Sequence, residues 1–275
     1  MSEALLFDID ELDSIDTLKP KIEVQEGDIW QLGRHRLLCG DCTVKENVDL
    51  LMNGNKADMV FTDPPYNVNY SSKNQFLNSI DKGNSIQTDI KNDNLEIDKI
   101  KELWYNAFTN IKYILNDYSC FYFCSPQSID IYLMIDTVIK SNLLLKQIII
   151  WNKNNHVLGR SDYNYKHEPI LYGWYNRHKF YGNGKIKTTV WDIPKPLKND
   201  LHPTMKPIEL IKNAILNSTL EDMIVYDCFL GSGSTLIACE HANRICYGME
   251  IEPHYCSIII ERWRKYTNKK AIKIN

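Results

Sequence analysis

The chain carries its most informative stretch at Ile224-Val225-Tyr226-Asp227-Cys228-Phe229-Leu230-Gly231-Ser232-Gly233-Ser234-Thr235. The first three residues are apolar and predict a short buried strand. The glycines that follow predict a tight turn, because only glycine adopts positive φ and allows close backbone approach at little cost. A helix is predicted next, over Leu236–Ala242. A strand, a glycine-rich turn and a helix together make a pocket lined by backbone amides, which can hold a small ligand.

The residues around this turn indicate the class of ligand. Glu250 ends the next predicted strand, 23 residues after Asp227. An acidic residue about 20 residues on, at the end of a second strand, typically binds ribose hydroxyls. A phosphate-binding loop needs a lysine after the second glycine, and a dinucleotide site needs a third glycine where Leu236 stands. We therefore predict a nucleoside cofactor without a pyrophosphate; the alternative is a turn that binds nothing.

A second signature, Asp63-Pro64-Pro65-Tyr66, also follows an apolar run, Met59-Val60-Phe61. The Asp63 carboxylate and the Pro64 carbonyl can accept hydrogen bonds from an amino group, and Tyr66 offers a ring on which a base can stack. The prolines fix their own φ and remove competing donors. Together the two signatures predict an enzyme that moves a methyl group onto a base amino nitrogen by direct attack, without a metal. The tetrapeptide alone fits an ordinary proline turn equally well.

Strands alternate with helices along most of the chain, which predicts an α/β fold with a doubly wound, mostly parallel sheet and helices on both faces. Both signatures follow strands, so we expect them to share one crevice at the carboxyl ends of the sheet. The predicted elements are a hairpin over 29–41 turning near Gly33, a helix Val44–Met52 capped by Thr43, a strand Asp58–Thr62, a helix over about 96–115, a strand Cys120–Cys124, a helix opened by Ser125-Pro126, strands Gln147–Trp151 and Pro169–Trp174, a helix from Lys206-Pro207 to about Ser218, a strand Met223–Tyr226, a helix Leu236–Ala242, a strand Ile245–Met249 and a helix from Pro253 to about Tyr266.

Charge divides the chain into regions, although the net charge is only -3. Residues 1–28 hold nine acidic and two basic residues and are predicted to be an acidic N-terminal extension of a domain over 29–275. Residues 67–95 are polar and without periodicity, which predicts a flexible loop beside the active site. Residues 151–212 hold eleven basic and five acidic residues. We predict a local phosphate-contact surface in a small basic insertion over about 175–203; the alternative is a solvated lysine-rich loop.

Composition excludes several classes of protein. No apolar stretch approaches the roughly 20 residues that span a bilayer, and the acidic start carries no basic signal region, so we expect a soluble, cytoplasmic protein. The eight cysteines lie in apolar runs, and we expect reduced, mostly buried thiols. Cys39 and Cys42 have the spacing of half a zinc site, but no matching second pair follows.

With its two signatures in this order, the chain resembles the amino-methylating DNA methyltransferases that use S-adenosylmethionine, and more narrowly their beta-type permuted group. In that group the catalytic motif precedes the cofactor motif, as Asp63 precedes Asp227. The resemblance extends over about 28–266 and implies a Rossmann-like methyltransferase sheet, with the basic insertion as the part that recognises DNA. It also includes Trp151-Asn152-Lys153 and the stretch with Arg160, Tyr163 and His167-Glu168, which it places at the pocket of the flipped base and on the DNA side; the alternatives are a core tryptophan and a salt bridge at a helix or strand end. By this resemblance the catalytic residues are Asp63, Pro64, Pro65 and Tyr66; the cofactor-binding residues are Asp41, Asp227, Phe229, Gly231, Ser232, Gly233, Thr235, Glu250 and Lys206; and the DNA-binding residues are Lys153, Arg160, Lys179, Lys185 and Lys187.

The resemblance also implies a substrate. Aspartate at position 63 is typical of the members that methylate adenine N6, whereas those that methylate cytosine N4 more often carry serine. We therefore expect methylation of adenine in double-stranded DNA, as in restriction-modification, by an enzyme that is either a monomer or a homodimer. The alternatives are a cytosine-N4 methyltransferase, a catalytically silent subunit that only binds nucleic acid or a partner, and a methyltransferase acting on RNA or a protein amide.

Overall fold

The computed structural model describes residues 20–66, 95–156, 162–182, 185–195 and 205–275. In this part of the chain a sheet of ten strands is flanked by six helices. The strands are β1 (Ile29–Leu32), β2 (His35–Cys39), β3 (Ala57–Thr62), β4 (Leu115–Cys124), β5 (Leu144–Asn152), β6 (His167–Trp174), β7 (Val190–Asp192), β8 (Ile224–Asp227), β9 (Ile245–Glu250) and β10 (Ala271–Lys273). The helices are α1 (Lys45–Met52), α2 (Ile97–Ile114), α3 (Ile131–Lys140), α4 (Ile208–Ser218), α5 (Ser234–His241) and α6 (Pro253–Thr267).

The order of the strands explains why distant sequence segments meet. It runs β10-β1-β2-β9-β8-β3-β4-β6-β5-β7. The central strands β2, β9, β8, β3 and β4 are mutually parallel, whereas β10, β1 and β6 pair antiparallel with their neighbours. Strands β3 and β8 are adjacent, with Met59 opposite Val225 and Val60 opposite Tyr226. The segments that follow these two strands therefore leave the sheet side by side.

Helices cover both faces of the sheet, and each face has its own apolar core. On one face α4, α5 and α6 contribute residues such as Ile211, Leu236 and Trp263. On the other, α1, α2 and α3 contribute Val48, Phe108 and Val138. The predicted doubly wound, mostly parallel fold is confirmed. The helices on the two faces remove the apolar residues of the central strands from water.

Two predicted helix starts were wrong. Ser125-Pro126 does not open a helix, and α3 begins only at Ile131. The backbone N–H and the hydroxyl of buried Ser125 both donate to the carbonyl of Pro169, each at 3.1 Å, which ties this segment to β6. Thr43 does not cap α1 either. The residue before that helix is Val44, without a side-chain cap, and the Thr43 hydroxyl donates to Asp41 instead.

Two short strands were not predicted. Strand β7 lies inside the segment read as turn-rich and pairs parallel with β5. Strand β10 follows the last helix and pairs antiparallel with β1. Strand β4 also begins at Leu115, five residues before the predicted strand. Three-residue strands carry too little alternation to stand out in sequence, because their pairing depends on neighbours that are distant in the chain.

Several predicted regions fall partly outside the described residues, namely most of the acidic extension, the polar loop before Leu95 and the end of the basic segment. The described part of the extension packs on the domain: Val24 belongs to the core and Gly27 N–H donates to the carbonyl of Cys39. All eight cysteines are buried and free, as predicted. None of the helices in the described ranges is long and apolar enough to cross a membrane.

Candidate active site

The two sequence signatures line one cavity at the carboxyl ends of β2, β3, β8 and β9, as predicted from the strand pattern. Its empty volume is about 1100 Å³, part of it open to solvent. Most of the sequence-predicted catalytic and cofactor residues line it: Asp41, Asp63, Pro64, Pro65, Tyr66, Lys206, Asp227, Phe229, Gly231, Ser232, Thr235 and Glu250. Gly233 is the exception, because it lies behind the turn and faces α6 rather than the cavity.

The glycine-rich turn uses both glycines, but for different reasons. Gly231 has φ of 55° and Gly233 has φ of 89°. A Cβ on Gly231 would meet nothing within 4 Å, so the backbone there borders open space. A Cβ on Gly233 would come within 3.0–3.4 Å of Ile259. Gly231 therefore leaves room for a ligand, whereas Gly233 lets the start of α5 pack closely against α6.

Asp227 is buried and held at the end of β8 by three donors. Its carboxylate accepts hydrogen bonds from the hydroxyls of Thr62 (2.7 Å) and Thr235 (2.6 Å) and from the N–H of Phe229 (3.1 Å). Burial raises the pKa of Asp227 to about 6, although these donors act in the opposite direction. The three donors fix the position of the Asp227 carboxylate, while burial disfavours its negative charge. A positively charged group of a ligand beside it would stabilise that charge.

Glu250 ends β9 and bridges two loops that border the cavity. It accepts hydrogen bonds from the N–H of Gly231 (2.7 Å) and of Glu252 (2.9 Å). Burial raises the pKa of Glu250 to about 7. Asp41, beyond the end of β2, accepts from both the N–H and the hydroxyl of Thr43 at 2.8 Å. Acceptors of this kind suit the hydroxyl and amino groups of a nucleoside.

The charges lining the cavity favour a cation. Five carboxyl groups border it against a single lysine among its described lining residues: Asp41, Asp63, Asp227, Glu250 and Glu252, with Lys206. A cavity lined by one sign of charge attracts a ligand of the opposite sign. The acceptor set and the space at Gly231 therefore fit a nucleoside with cationic groups, such as a sulfonium or an ammonium. Within the described ranges, no group of three His, Cys, Asp or Glu is placed to hold a metal ion.

The Asp63 tetrapeptide is fixed where it leaves β3. One Asp63 oxygen accepts a hydrogen bond from the Tyr66 hydroxyl, and the other accepts from Lys206 Nζ at 2.5 Å. The indole N–H of Trp104 donates to the Pro65 carbonyl at 3.1 Å, which anchors the turn to α2. Burial raises the pKa of Asp63, opposed by the positive charge of Lys206 and by the Tyr66 hydrogen bond.

Glu168, at the start of β6, also belongs to this site, although the sequence indicated no specific role for it. Its carboxylate lies 3.0 Å from Lys153 Nζ and 3.3 Å from Lys206 Nζ. The sequence contains a signal for this pair, because Lys153 follows one apolar run and Glu168 precedes another. In the structure the two strands are neighbours, with Trp151 opposite Glu168. Charges at such positions stay buried only when they are paired.

Lys153 and Arg160 are two of the predicted DNA-binding residues. The side chain of Lys153 is buried and paired with Glu168, so its ammonium group does not face a surface where DNA phosphates could lie. The ion pair holds the Lys153 side chain inside the domain, which disfavours the predicted contact with DNA. Arg160 lies outside the described residues.

The remaining predicted DNA-binding lysines lie away from the cavity. Lys179 Nζ sits 4.9 Å above the ring of Tyr118, near the start of β4 and so at the end of the sheet opposite Asp63. Lys185 N–H donates to the carbonyl of Gly182, whose own N–H donates to Asn217 at the end of α4, again at that opposite end. Lys187 is exposed ahead of β7. The structure does not bring these three lysines together with the catalytic residues.

Sequence comparison identifies relatives of the whole domain. The model of a family described as DNA methylase, N6_N4_Mtase, matches residues 57–261. The type II methyltransferase M2.MboI of Moraxella bovis is 28% identical over 235 residues, which cover 78% of this chain and 82% of that protein. The type II methyltransferase M.HinfI of Haemophilus influenzae is 25% identical over 261 residues, which cover 83% of this chain and 68% of that protein.

Solved structures share the fold. The M1.HpyAVI–SAM complex aligns with a TM-score of 0.59 at 22% identity, over 82% of this chain and 98% of that one. PvuII DNA methyltransferase, described as cytosine-N4-specific, aligns with a TM-score of 0.64 at 14% identity, over 87% and 95%. The Rossmann-like methyltransferase fold is thereby confirmed. Because the family model spans most of the domain and its two motifs meet at one cavity, the chain belongs to the DNA methylase family of N6- and N4-amino-methyltransferases.

Proposed function

We propose that this protein transfers a methyl group from S-adenosylmethionine to the N6 amino group of adenine in double-stranded DNA. The observation that carries the proposal is the adjacency of β3 and β8, which opens the Asp63 tetrapeptide and the glycine-rich turn onto one acidic cavity. Like its relatives named as type II methyltransferases, the enzyme would modify a defined site, as the partner of a restriction activity does.

S-adenosylmethionine is the methyl donor, and it supplies a methyl group made electrophilic by the positive charge on sulfur. We assign its ribose hydroxyls to Glu250 and its adenine amino group to Asp41. Asp227 faces the methionyl ammonium, and Gly231 gives the cofactor room to lie against the backbone. Lys206 has three N–H donors; one hydrogen-bonds Asp63, the ammonium also pairs with Glu168, and we assign a remaining donor to the methionyl carboxylate.

The Asp63 tetrapeptide receives the target base. The amino nitrogen of adenine is a weak nucleophile, because its lone pair is delocalised into the ring. Hydrogen bonds from its two N–H groups to the Asp63 carboxylate and the Pro64 carbonyl favour a pyramidal nitrogen whose lone pair can attack the methyl carbon. The bond from that carbon to sulfur would break as the new bond forms, the neutral thioether would leave, and the methylated nitrogen would lose one proton to solvent. Tyr66 provides a ring for stacking, which is worth ~1–3 kcal/mol per base. The base must leave the helical stack to reach this site, so we propose that the enzyme flips it out of the duplex.

Two observations bear on the choice of base. Aspartate at position 63 favours adenine, by the resemblance described above. PvuII DNA methyltransferase, named as cytosine-N4-specific, shares the fold, so cytosine N4 is the second candidate. Both targets are exocyclic amino groups beside a ring nitrogen, and the same carboxylate and carbonyl acceptors suit both.

The decisive experiment is methyl transfer with a labelled donor. Duplex DNA containing many different sequences is incubated with S-adenosylmethionine carrying a tritiated methyl group, then digested to nucleosides and separated. We expect label in N6-methyladenine, and an Asp63→Ala variant should reduce transfer by about 1000-fold or more, because it removes an acceptor aimed at the reacting nitrogen. That variant should keep cofactor affinity within about threefold, since the glycine-rich turn is untouched.

Other outcomes would count against the proposal in distinct ways. Label in N4-methylcytosine would establish the second candidate. Label only in RNA or in protein, offered as separate substrates, would overturn the DNA assignment. Cofactor binding without transfer to any of these substrates would indicate a catalytically silent subunit.

A further inference from the structure

A chain of buried charges runs from β5 to the catalytic tetrapeptide. Lys153 Nζ lies 3.0 Å from one Glu168 oxygen, Lys206 Nζ lies 3.3 Å from the other, and Lys206 Nζ also lies 2.5 Å from Asp63. The side chains are only 1% (Lys153), 15% (Glu168), 6% (Lys206) and 20% (Asp63) exposed. The Asp63 end opens onto the cavity, whereas the Lys153 end lies in the interior.

Burying charges costs free energy, and nothing about the fold alone requires this arrangement. Apolar side chains of similar volume often stabilise a protein as well as a buried ion pair, or better. Glu168 is nevertheless kept ionised: burial works against its charge, but Lys206 and Lys153 lower its pKa to about 2. It therefore remains an anion between two ammonium groups throughout the ordinary pH range.

The geometry shows what this fixed anion does. Lys206 precedes α4, donates a hydrogen bond to Asp63 and forms an ion pair with Glu168 at 3.3 Å, so the Glu168 charge limits the directions in which the Lys206 ammonium can point. Lys206 in turn holds one Asp63 oxygen, while the Tyr66 hydroxyl holds the other. With a donor on each oxygen, the Asp63 carboxylate is restrained at the edge of the cavity that it lines, and each oxygen keeps a further lone pair for another donor.

We infer that Glu168 is a positioning residue for methyl transfer: acting through Lys206, it holds the Asp63 carboxylate in the orientation that receives the target amine. Lys153 neutralises Glu168 from behind and keeps it in place. The inference rests on the proposed function, because the role of Asp63 in receiving an amine belongs to that proposal. Catalytic hydrogen bonds tolerate little misplacement, so the loss should appear in the turnover number rather than in binding.

A Glu168→Gln variant tests the inference, and a Lys153→Met/Glu168→Gln double variant accompanies it. The single variant leaves Lys153 buried without its partner and is therefore expected to unfold at a lower temperature. The double variant removes both charges together and should recover most of that stability. We expect kcat to fall about tenfold or more in both variants, because neither can orient Lys206. The KM for DNA should stay within about threefold. The Kd for S-adenosylmethionine, measured by calorimetry, should rise by less than kcat falls, because Lys206 contacts the cofactor through only one of its donors.

The pH profile provides a readout that a merely structural residue would not change. Asp63 is faced by Lys206 before α4, by Tyr66 on its own loop, by Glu168 on β6, by Cys124 on β4, by Asp227 on β8 and by Lys195 after β7. The negative charge of Glu168 raises the pKa of Asp63. Its removal lowers that pKa, so the acid limb of kcat/KM in Glu168→Gln should move to lower pH while the maximum falls.

The control is Glu209→Gln, which removes an exposed glutamate of α4 that pairs with Lys212 at 3.6 Å; its kcat and pH profile should match those of the wild type. A folded double variant with wild-type kcat and an unmoved acid limb would overturn the inference. A loss of cofactor affinity as large as the loss of kcat would also overturn it, because Glu168 would then belong to the cofactor site. If the wild-type protein transfers no methyl group to DNA, the proposed function is wrong. If the wild-type protein is active and the variants behave like it, only the inference about Glu168 is wrong.

Discussion

At the scale of single residues, the acidic side chains of this site fall into two groups with opposite behaviour. Burial raises the pKa of Asp227 to about 6 and that of Glu250 to about 7, and both border the cavity. Glu168, buried between two lysines, has its pKa lowered to about 2. Asp227 and Glu250 are therefore suited to bind a positively charged or hydrogen-bonding ligand. Glu168 already has its counter-ions within the protein.

This difference predicts pH-dependent cofactor binding. A cationic ligand favours the ionised forms of Asp227 and Glu250, so binding lowers their pKa values and releases protons near neutral pH. The affinity for S-adenosylmethionine should therefore rise by roughly tenfold as the pH increases from about 5.5 to about 7.5, and then level off. Calorimetry in buffers of different ionisation enthalpy measures both the affinity and the proton release.

A Glu250→Gln variant is the comparison for this experiment. It removes the group with the higher pKa, so binding should be weaker and its remaining pH dependence should shift towards the pKa of Asp227, about 6. An affinity that is constant across this range, or that falls as the pH rises, would contradict the placement of the cofactor against these two carboxyl groups.

The residues that the sequence predicted and those that it missed differ in one physical respect. Asp63 and Asp227 were recognisable because each belongs to a local pattern, in which an apolar run ends in a turn of special composition. For Glu168 the sequence indicates only a charged residue at the start of an apolar strand, without a defined role. Its role arises from contacts with Lys153 and Lys206 across strands and across the cavity, and such contacts depend on a tertiary arrangement that residue types alone do not specify.

At the scale of secondary-structure elements, prediction succeeded where composition and periodicity agreed and was wrong where the tertiary structure overrode them. Strands β3, β8 and β9 are short apolar runs with clear stops, and their predicted positions are confirmed. Ser125-Pro126 has the composition of a helix start, but Ser125 is drawn to Pro169 on β6. The pairing of three-residue strands such as β7 and β10 depends on partners far away in the chain.

In the turn between β8 and α5, one glycine is required for stability and the other for cofactor binding. Gly233→Ala places a Cβ against Ile259 at a φ of 89°. The combined strain and overpacking should cost about 2–4 kcal/mol of the free energy of unfolding and lower Tm by roughly 5–10 °C. Gly231→Ala, at a φ of 55° with open space around it, should cost only about 1 kcal/mol. Its methyl group enters the cavity, so it should weaken S-adenosylmethionine binding by about tenfold or more.

Thermal unfolding and calorimetry on the two variants measure these effects side by side. Each glycine serves as the control for the other, because the two positions lie two residues apart in the same turn. If Gly231→Ala leaves cofactor affinity unchanged, the cofactor does not lie against this turn. If both variants lose stability equally, the contact of Gly233 with α6 is not what requires glycine there.

At the scale of the whole molecule, the basic residues of the middle segment divide between the two ends of the sheet. Lys179, with Arg177 beside it, packs on Tyr118 at the end opposite Asp63. At the catalytic end, Lys153 N–H donates to the carbonyl of Lys166. The exposed strip over 162–167 therefore lies close to Glu168 and the cavity. Within it, Tyr163 is 89% exposed and Tyr165 is 37% exposed, and aromatic rings beside cations are the usual means of holding an unstacked base or its neighbours.

This division predicts where DNA lies during methylation. A duplex whose target base enters the cavity must run over the catalytic end, so Lys166→Ala should weaken DNA binding and reduce the slope of log K against log salt by about 1. Lys179→Ala removes the same charge at the opposite end and should leave that slope unchanged. Fluorescence anisotropy with a labelled duplex, titrated at several salt concentrations, measures both slopes. A flatter slope for Lys179→Ala with an unchanged slope for Lys166→Ala would place the duplex at the opposite end of the sheet. A base flipped out there could not reach Asp63, so this result would contradict the position of DNA inferred from the topology.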